Sequence, residues 1–199
     1  MLSKPYLIFH SLLKKYGPQR WWPAKTQYEI IVGAVLTQNC AWRNVEKAIK
    51  NLKKARMLSP KNILALRLAE LKKLIKPAGF YNQKAKRLKL ITKKYLELKP
   101  KLHSLTTEEL RKELLSVNGI GNETADSILL YAFNRPVFVI DAYTKRFCEH
   151  FKLFKGKTYH DYQQFFERSL PRNTYIFNEY HALIVRWAKE HGSRKRKTL

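Results

Sequence analysis

Leu115-Ser116-Val117-Asn118-Gly119-Ile120-Gly121-Asn122-Glu123-Thr124-Ala125-Asp126 lies between two apolar-periodic stretches, and Ile140-Asp141 follows, with Asp141 twenty residues after Gly121. A G-x-G pair at such a junction lets the backbone turn tightly and approach a ligand closely, because neither glycine carries the Cβ that would block it. A helix opening at Asn122 adds unpaired N–H groups, which favour an anion. Asp141 then ends the apolar run Val137-Phe138-Val139-Ile140, where a charge is costly without a task. A phosphate grip followed by an isolated acid points to chemistry on nucleic acid.

The bulk composition agrees. Among 199 residues, 40 Lys and Arg face 15 Asp and Glu, leaving +25. Such an excess makes a polyanion the expected partner, with nucleic acid ahead of a membrane surface and a ribosomal-type protein or a generally basic proteome as the plain alternatives. The longest apolar run, Ile30 to Leu36, is far short of the roughly 20 residues a span needs. No cleavage site for export follows the first residues, so a cytoplasmic, nucleoid-associated protein is expected. Cys40 and Cys148 are far apart and form no metal-ligand pattern, so no metal is expected.

Apolar spacing reads as helix nearly throughout, giving an all-α chain of about ten helices. Helices are expected over Tyr6–Tyr16, Thr26–Gln38, Asn44–Ala55, Leu68–Lys76, Asn82–Leu98, Asn122–Phe133, Ala142–Phe151, His160–Leu170 and Thr174–His191. Ser59-Pro60 and Thr106-Thr107-Glu108-Glu109 mark two further starts. Val137–Ile140 is β-branched but has no second strand to pair with, so it is expected to be a buried extended connector. The basic run 192–199 is expected to fray.

Three segments in order carry a family resemblance. The hairpin Val117–Gly121 with Asp141 downstream, Gly33-Ala34-Val35-Leu36-Thr37-Gln38-Asn39, and Gly79-Phe80-Tyr81-Asn82-Gln83-Lys84-Ala85 together resemble the helix-hairpin-helix (HhH-GPD) DNA glycosylases of the endonuclease III type. The resemblance spans roughly Trp21 to His191. It implies a two-lobed fold, one lobe over 24–135 and the other from 1–23 plus 136–199, with the active site in the cleft between lobes.

Two departures narrow it. Bifunctional members place a lysine nucleophile two residues after the second hairpin glycine, where this chain has Glu123. The family's four-cysteine cluster motif is missing as well. With Trp21-Trp22-Pro23 and Trp42, the chain looks most like the iron–sulfur-cluster-free 3-methyladenine DNA glycosylases. The lysine that this subfamily carries soon after a histidine has no counterpart at His181-Ala182-Leu183.

The resemblance implies a monofunctional enzyme of base excision repair, acting as a monomer, that flips out and hydrolyses an alkylated purine to leave an abasic site. No cofactor is expected, the one allowance being a monovalent ion at the hairpin. Asp141 is the expected catalytic acid, although as a helix N-cap it would also have a structural role. Gly119, Ile120, Gly121 and Asn122 are expected to offer backbone N–H groups to phosphates. Asn39 or Gln38 is expected at the orphaned base, Phe80 as the wedge that fills the gap, and Lys84 and Lys145 at the DNA. Trp21, Trp22, Trp42 and His181 are the expected base pocket, because an indole face attracts a cationic purine. The alternatives are a glycosylase for uracil, mismatched thymine or an oxidised base, and a non-catalytic DNA-binding module. A buried acid gains such a module nothing.

Overall fold

A computed structural model describes residues 2–191; the expected basic tail 192–199 lies outside them. The described residues are all-α, with eleven α-helices and no strand. They divide into two compact units, Ala24–Phe133 and Met1–Pro23 with Asn134–Leu199.

The first unit forms around α2 (Gln27–Thr37). Its Ile31, Val32, Val35 and Leu36 are at most 1% exposed, each burial worth about 1.5–3 kcal/mol before chain entropy is counted. Such a helix must be surrounded. It packs against α3 (Trp42–Lys54), α6 (Tyr81–Leu98), α8 (Asn122–Ser127) and a π-helical turn at Ile128–Ala132. The remaining helices are α4 (Pro60–Ala65), α5 (Leu68–Ile75) and α7 (Thr107–Leu115).

Caps fix where these helices begin. Thr26 Oγ1 accepts from Glu29 N (3.1 Å), and Thr106 and Glu109 cap α7 reciprocally. Glu29 is buried, but its carboxylate accepts from Lys25 N (3.1 Å) and meets Lys53 Nζ at 2.5 Å, which ties α2 to α3.

The expected single helix Asn122–Phe133 is instead an α-helical turn that widens at Ile128, where Phe133 N bonds Ile128 O (3.0 Å). All five residues Ile128–Ala132 are buried, so the apolar pattern there is the same for either spacing. Helix α1 also begins before its expected start, at Lys4, because Ser3 caps it and Pro5 fits the first turn.

The second unit packs α11 (Thr174–His191) against α1 (Lys4–Tyr16) and α9 (Ala142–His150), while α1 also meets α10 (Tyr159–Ser169). Phe138 stacks on Phe166 at 4.2 Å, and Tyr180 meets Phe138, Phe147 and Phe166 edge-on. The connector Val137–Ile140 is buried and belongs to no helix or strand. Its polar backbone atoms still need partners. Side chains of α10 supply them: Glu167 accepts from Phe138 N (2.9 Å), Gln163 donates to Phe138 O (3.0 Å), and the Tyr159 hydroxyl accepts from Ile140 N (3.3 Å). The segment that delivers Asp141 is thereby held against α10.

Candidate active site and nucleic-acid interface

Three loops of the first unit are bonded to one another at the end of α2. Lys84 is 1% exposed, and its ammonium donates to Leu36 O and Ala78 O, both at 2.8 Å. Burial lowers its pKa from the ordinary lysine value, and nearby Arg87 lowers it further. The expectation that Lys84 meets DNA is corrected: its charge holds the 76–80 turn against the end of α2.

Gln38 is corrected in the same way. Its amide donates to Gly119 O and Thr124 Oγ1, both at 3.0 Å, and accepts from Arg87 Nη1 (2.7 Å). Gln38 therefore shapes the hairpin from within. Neither Arg87 nor this inward use of Gln38 is signalled in the sequence.

The hairpin itself is a glycine structure at one position only. Gly119 has φ +84°, and a Cβ there would lie 2.2 Å from Arg87 Nε. Around Gly121 nothing lies within 4 Å of a built Cβ, so the chain's own packing does not demand glycine. Ile120 is buried and its N–H closes the turn on Val117 O (3.0 Å), so the expectation that it serves a phosphate is corrected. Among the described residues, the N–H groups of Gly119 and Gly121 meet no acceptor. Asn122 accepts from Arg111, which also grips the buried Asp126 through two hydrogen bonds of 2.7 and 3.1 Å. This brace between α7 and α8 is a second feature that reads as ordinary surface charge in the sequence.

Two residues at these loops carry backbone strain. Phe80 has φ +45° and is 59% exposed, and the exposed Asn39 has φ +47°. A bulky aromatic in the left-handed region costs energy. Phe80 is not the core aromatic that Pro77 nearby would otherwise suggest. Glu123 is exposed in the first turn of α8.

In the second unit, Asp141 caps α9. Its Oδ1 accepts from Thr144 N (2.7 Å) and Thr144 Oγ1 (2.9 Å). Its Oδ2 lies 3.5 Å from His181 Nε2, long for a hydrogen bond but within reach of an ion pair when the imidazole is protonated. The two side chains are 14% and 10% exposed. Burial pushes the Asp141 carboxyl up, yet His181 and Thr144 outweigh it, and the net position is below the ordinary carboxylate value. An ionised carboxylate, fixed at one oxygen and only slightly open to water, is what a developing positive charge requires.

His181, expected in the base pocket, thus faces the acid. A cleft of about 480 Å³ lies beside its helix, lined by Arg20, Trp21, Tyr175, Asn178 and Glu179 among others. Trp22 sits beside Trp21, with ring centroids 5.0 Å apart. Trp42, the third expected tryptophan, opens α3 in the other unit and is half-buried. Lys145 is exposed one turn beyond Asp141. Among the described residues, no three His, Cys, Asp or Glu side chains gather as metal ligands, and no helix is long and apolar enough to cross a membrane.

A glycine hairpin braced against neighbouring loops, together with a capped and buried acid, defines a helix-hairpin-helix base-excision architecture. Residues 32–172 match the family model of the HhH-GPD superfamily of base excision DNA repair proteins, and the chain belongs to that superfamily as a DNA glycosylase. A Methanocaldococcus jannaschii protein, provisionally named a DNA repair glycosylase, is 49% identical over 96% of this chain and 89% of its own. Endonuclease III of Thermotoga maritima is 27% identical, covering 73% of this chain and 66% of that protein. The crystal structure of an H. pylori 3-methyladenine DNA glycosylase bound to 1,N6-ethenoadenine is similar with a TM-score of 0.81 and 30% identity, over 94% of this chain and 97% of that one. A non-covalent endonuclease III–DNA complex shares the fold at a TM-score of 0.79 and 19% identity, over 100% of this chain and 90% of that one.

Proposed function

We propose that the protein is a monofunctional glycosylase that removes alkylated purines of the 3-methyladenine type from double-stranded DNA as a monomer, leaving an abasic site. The observation that carries the chemistry is Asp141, held ionised by Thr144 and His181 within an apolar setting. As the C1′–N bond breaks, positive charge builds on the sugar and the carboxylate stabilises it. A water then adds to C1′, passing its proton to the carboxylate and on to solvent. An N3-alkylated adenine is already cationic, so it departs as a neutral base and needs no separate acid.

The lesion preference rests on the cleft beside α11. Trp21 and Tyr175 line it with aromatic rings, and the charges of Arg20 and Glu179 there offset one another. An aromatic face attracts a cation by about 0.5–2 kcal/mol and a neutral base less. The likeness to the H. pylori enzyme, which extends over nearly all of both chains, supports the same reading. Glu123 stands where strand-cleaving members carry an amine, and a carboxylate forms no Schiff base. In this reading Asn39 and Phe80 meet the gap left by the flipped base, and Gly119 and Gly121 hold the backbone.

Duplexes carrying one lesion each (3-methyladenine, 1,N6-ethenoadenine, uracil, mismatched thymine, an oxidised purine), incubated with and without alkali, test the proposal. Release of the alkylated bases, with strand breaks only after alkali, is expected. Preferential release of uracil or the oxidised purine would overturn the lesion assignment, and a borohydride-trapped protein–DNA adduct would overturn the monofunctional one.

A further inference from the structure

The second unit carries a basic cleft of about 620 Å³ that the reaction at Asp141 does not use. Helix α9 supplies Lys145 and Arg146 to its lining, and the loop that follows supplies Lys152 and Lys155. All four are exposed, and among the described residues none pairs with a carboxylate. Glu149 is the single acid of the lining.

The loop is built rather than loose. Leu153 N bonds Cys148 O (2.9 Å) at one end, and the Asp161 carboxylate accepts from Lys157 N and Thr158 N (2.8 and 2.9 Å) at the other. Phe154 stacks on Phe165 beneath it (4.8 Å), and the Lys145 ammonium lies 5.7 Å from the Tyr162 ring centre. Four like charges held around one cleft repel each other, so the arrangement gains from an anion that bridges them.

We propose that this cleft is a second phosphate-binding surface, which takes the DNA backbone where it leaves the nucleotide at Asp141. A strand is favoured over a small anion because the cations are spread over a helix and a loop instead of converging on one point. It is favoured at this place because Lys145 stands one turn beyond Asp141, its N–H bonded to Asp141 O (3.2 Å). In this proposal the phosphates beside a sugar at the acid reach the cleft by way of Lys145. The proposal rests on the chain's binding of DNA and is independent of which base is removed.

The test measures affinity for an undamaged labelled duplex against salt concentration. Each phosphate contact contributes about 0.9 to the slope of log affinity against log salt. Lys152→Gln with Lys155→Gln should lower the slope by about 1.8, and Lys152→Arg with Lys155→Arg should restore it. A charge-matched pair, Lys99→Gln with Lys101→Gln in the 3-10 turn that follows α6, should leave the slope unchanged. An equal drop for both Gln pairs would reduce the effect to net charge, and no drop for the cleft pair would overturn the proposal. Because no lesion is present, failure to find a released base in the panel above would leave this result standing.

Discussion

Asp141 has two roles that one pair of substitutions separates. Asparagine caps a helix about as well as aspartate, whereas alanine loses about 1 kcal/mol of capping. Asp141→Asn should therefore keep the helix cap and the duplex affinity, losing only the stability that the ionised carboxylate adds, while lowering base release by about 10²–10³-fold, as loss of a preorganised electrostatic group does elsewhere; Asp141→Ala should lose the cap as well as the activity. The pH dependence follows from its carboxyl lying below the ordinary carboxylate value. A lowered carboxyl pKa in the folded state contributes stability above the unfolded pKa of about 3.9, and this is lost as pH falls through the folded pKa. Activity that depends on the ionised form should accordingly persist to lower pH in the wild type than in His181→Gln, because the histidine helps hold the acid down. An acid limb that does not move in His181→Gln, measured by single-turnover release, would remove His181 from that role. The hairpin glycines divide similarly. Gly119→Ala must shift Arg87 and adopt a left-handed φ, so it should destabilise the fold by more than about 1 kcal/mol in thermal unfolding. Gly121→Ala meets open space and an allowed φ, so it should unfold like the wild type and weaken only DNA binding.

At the scale of elements, buried polar side chains hold the loops at the end of α2, and these are what sequence reasoning reads least well. Lys84→Met would leave the carbonyls of Leu36 and Ala78 without their donor, at about 1–3 kcal/mol for each unsatisfied group. It should lower stability while leaving the salt dependence of DNA binding per bound phosphate unchanged; a fall in that slope would return Lys84 to the surface role its charge advertises. Helix positions, capping boxes and the unpaired connector at Val137–Ile140 are legible in advance, because they follow from periodicity, local capping chemistry and the lack of any second strand. The acid is legible too, as a charge ending an apolar run. Arg87, Arg111 with Asp126, and the inward turn of Gln38 are not, because their partners lie 15 to 86 residues away and a polar residue at a loop looks the same whether it points in or out. The pairing of His181 with Asp141 falls in that same class. A histidine on an amphipathic helix carries no mark of the acid 40 residues earlier that it faces.

For the whole molecule, the excess charge of +25 supplies general attraction to DNA, but it selects neither the lesion nor the bond to be cut. In the proposed reading those depend on the acid and on the cleft beside α11 within one unit, while the hairpin loops of the other unit hold the backbone. The family membership accounts for the architecture, and the proposed lack of strand cleavage rests on Glu123. The most direct test is single-turnover release of 3-methyladenine from duplex DNA by the wild type and by Asp141→Asn at matched DNA occupancy. The expected result is rapid release by the wild type, with strands broken only after alkali, and almost none by the variant although it stays bound. Equal release by both proteins would contradict the account.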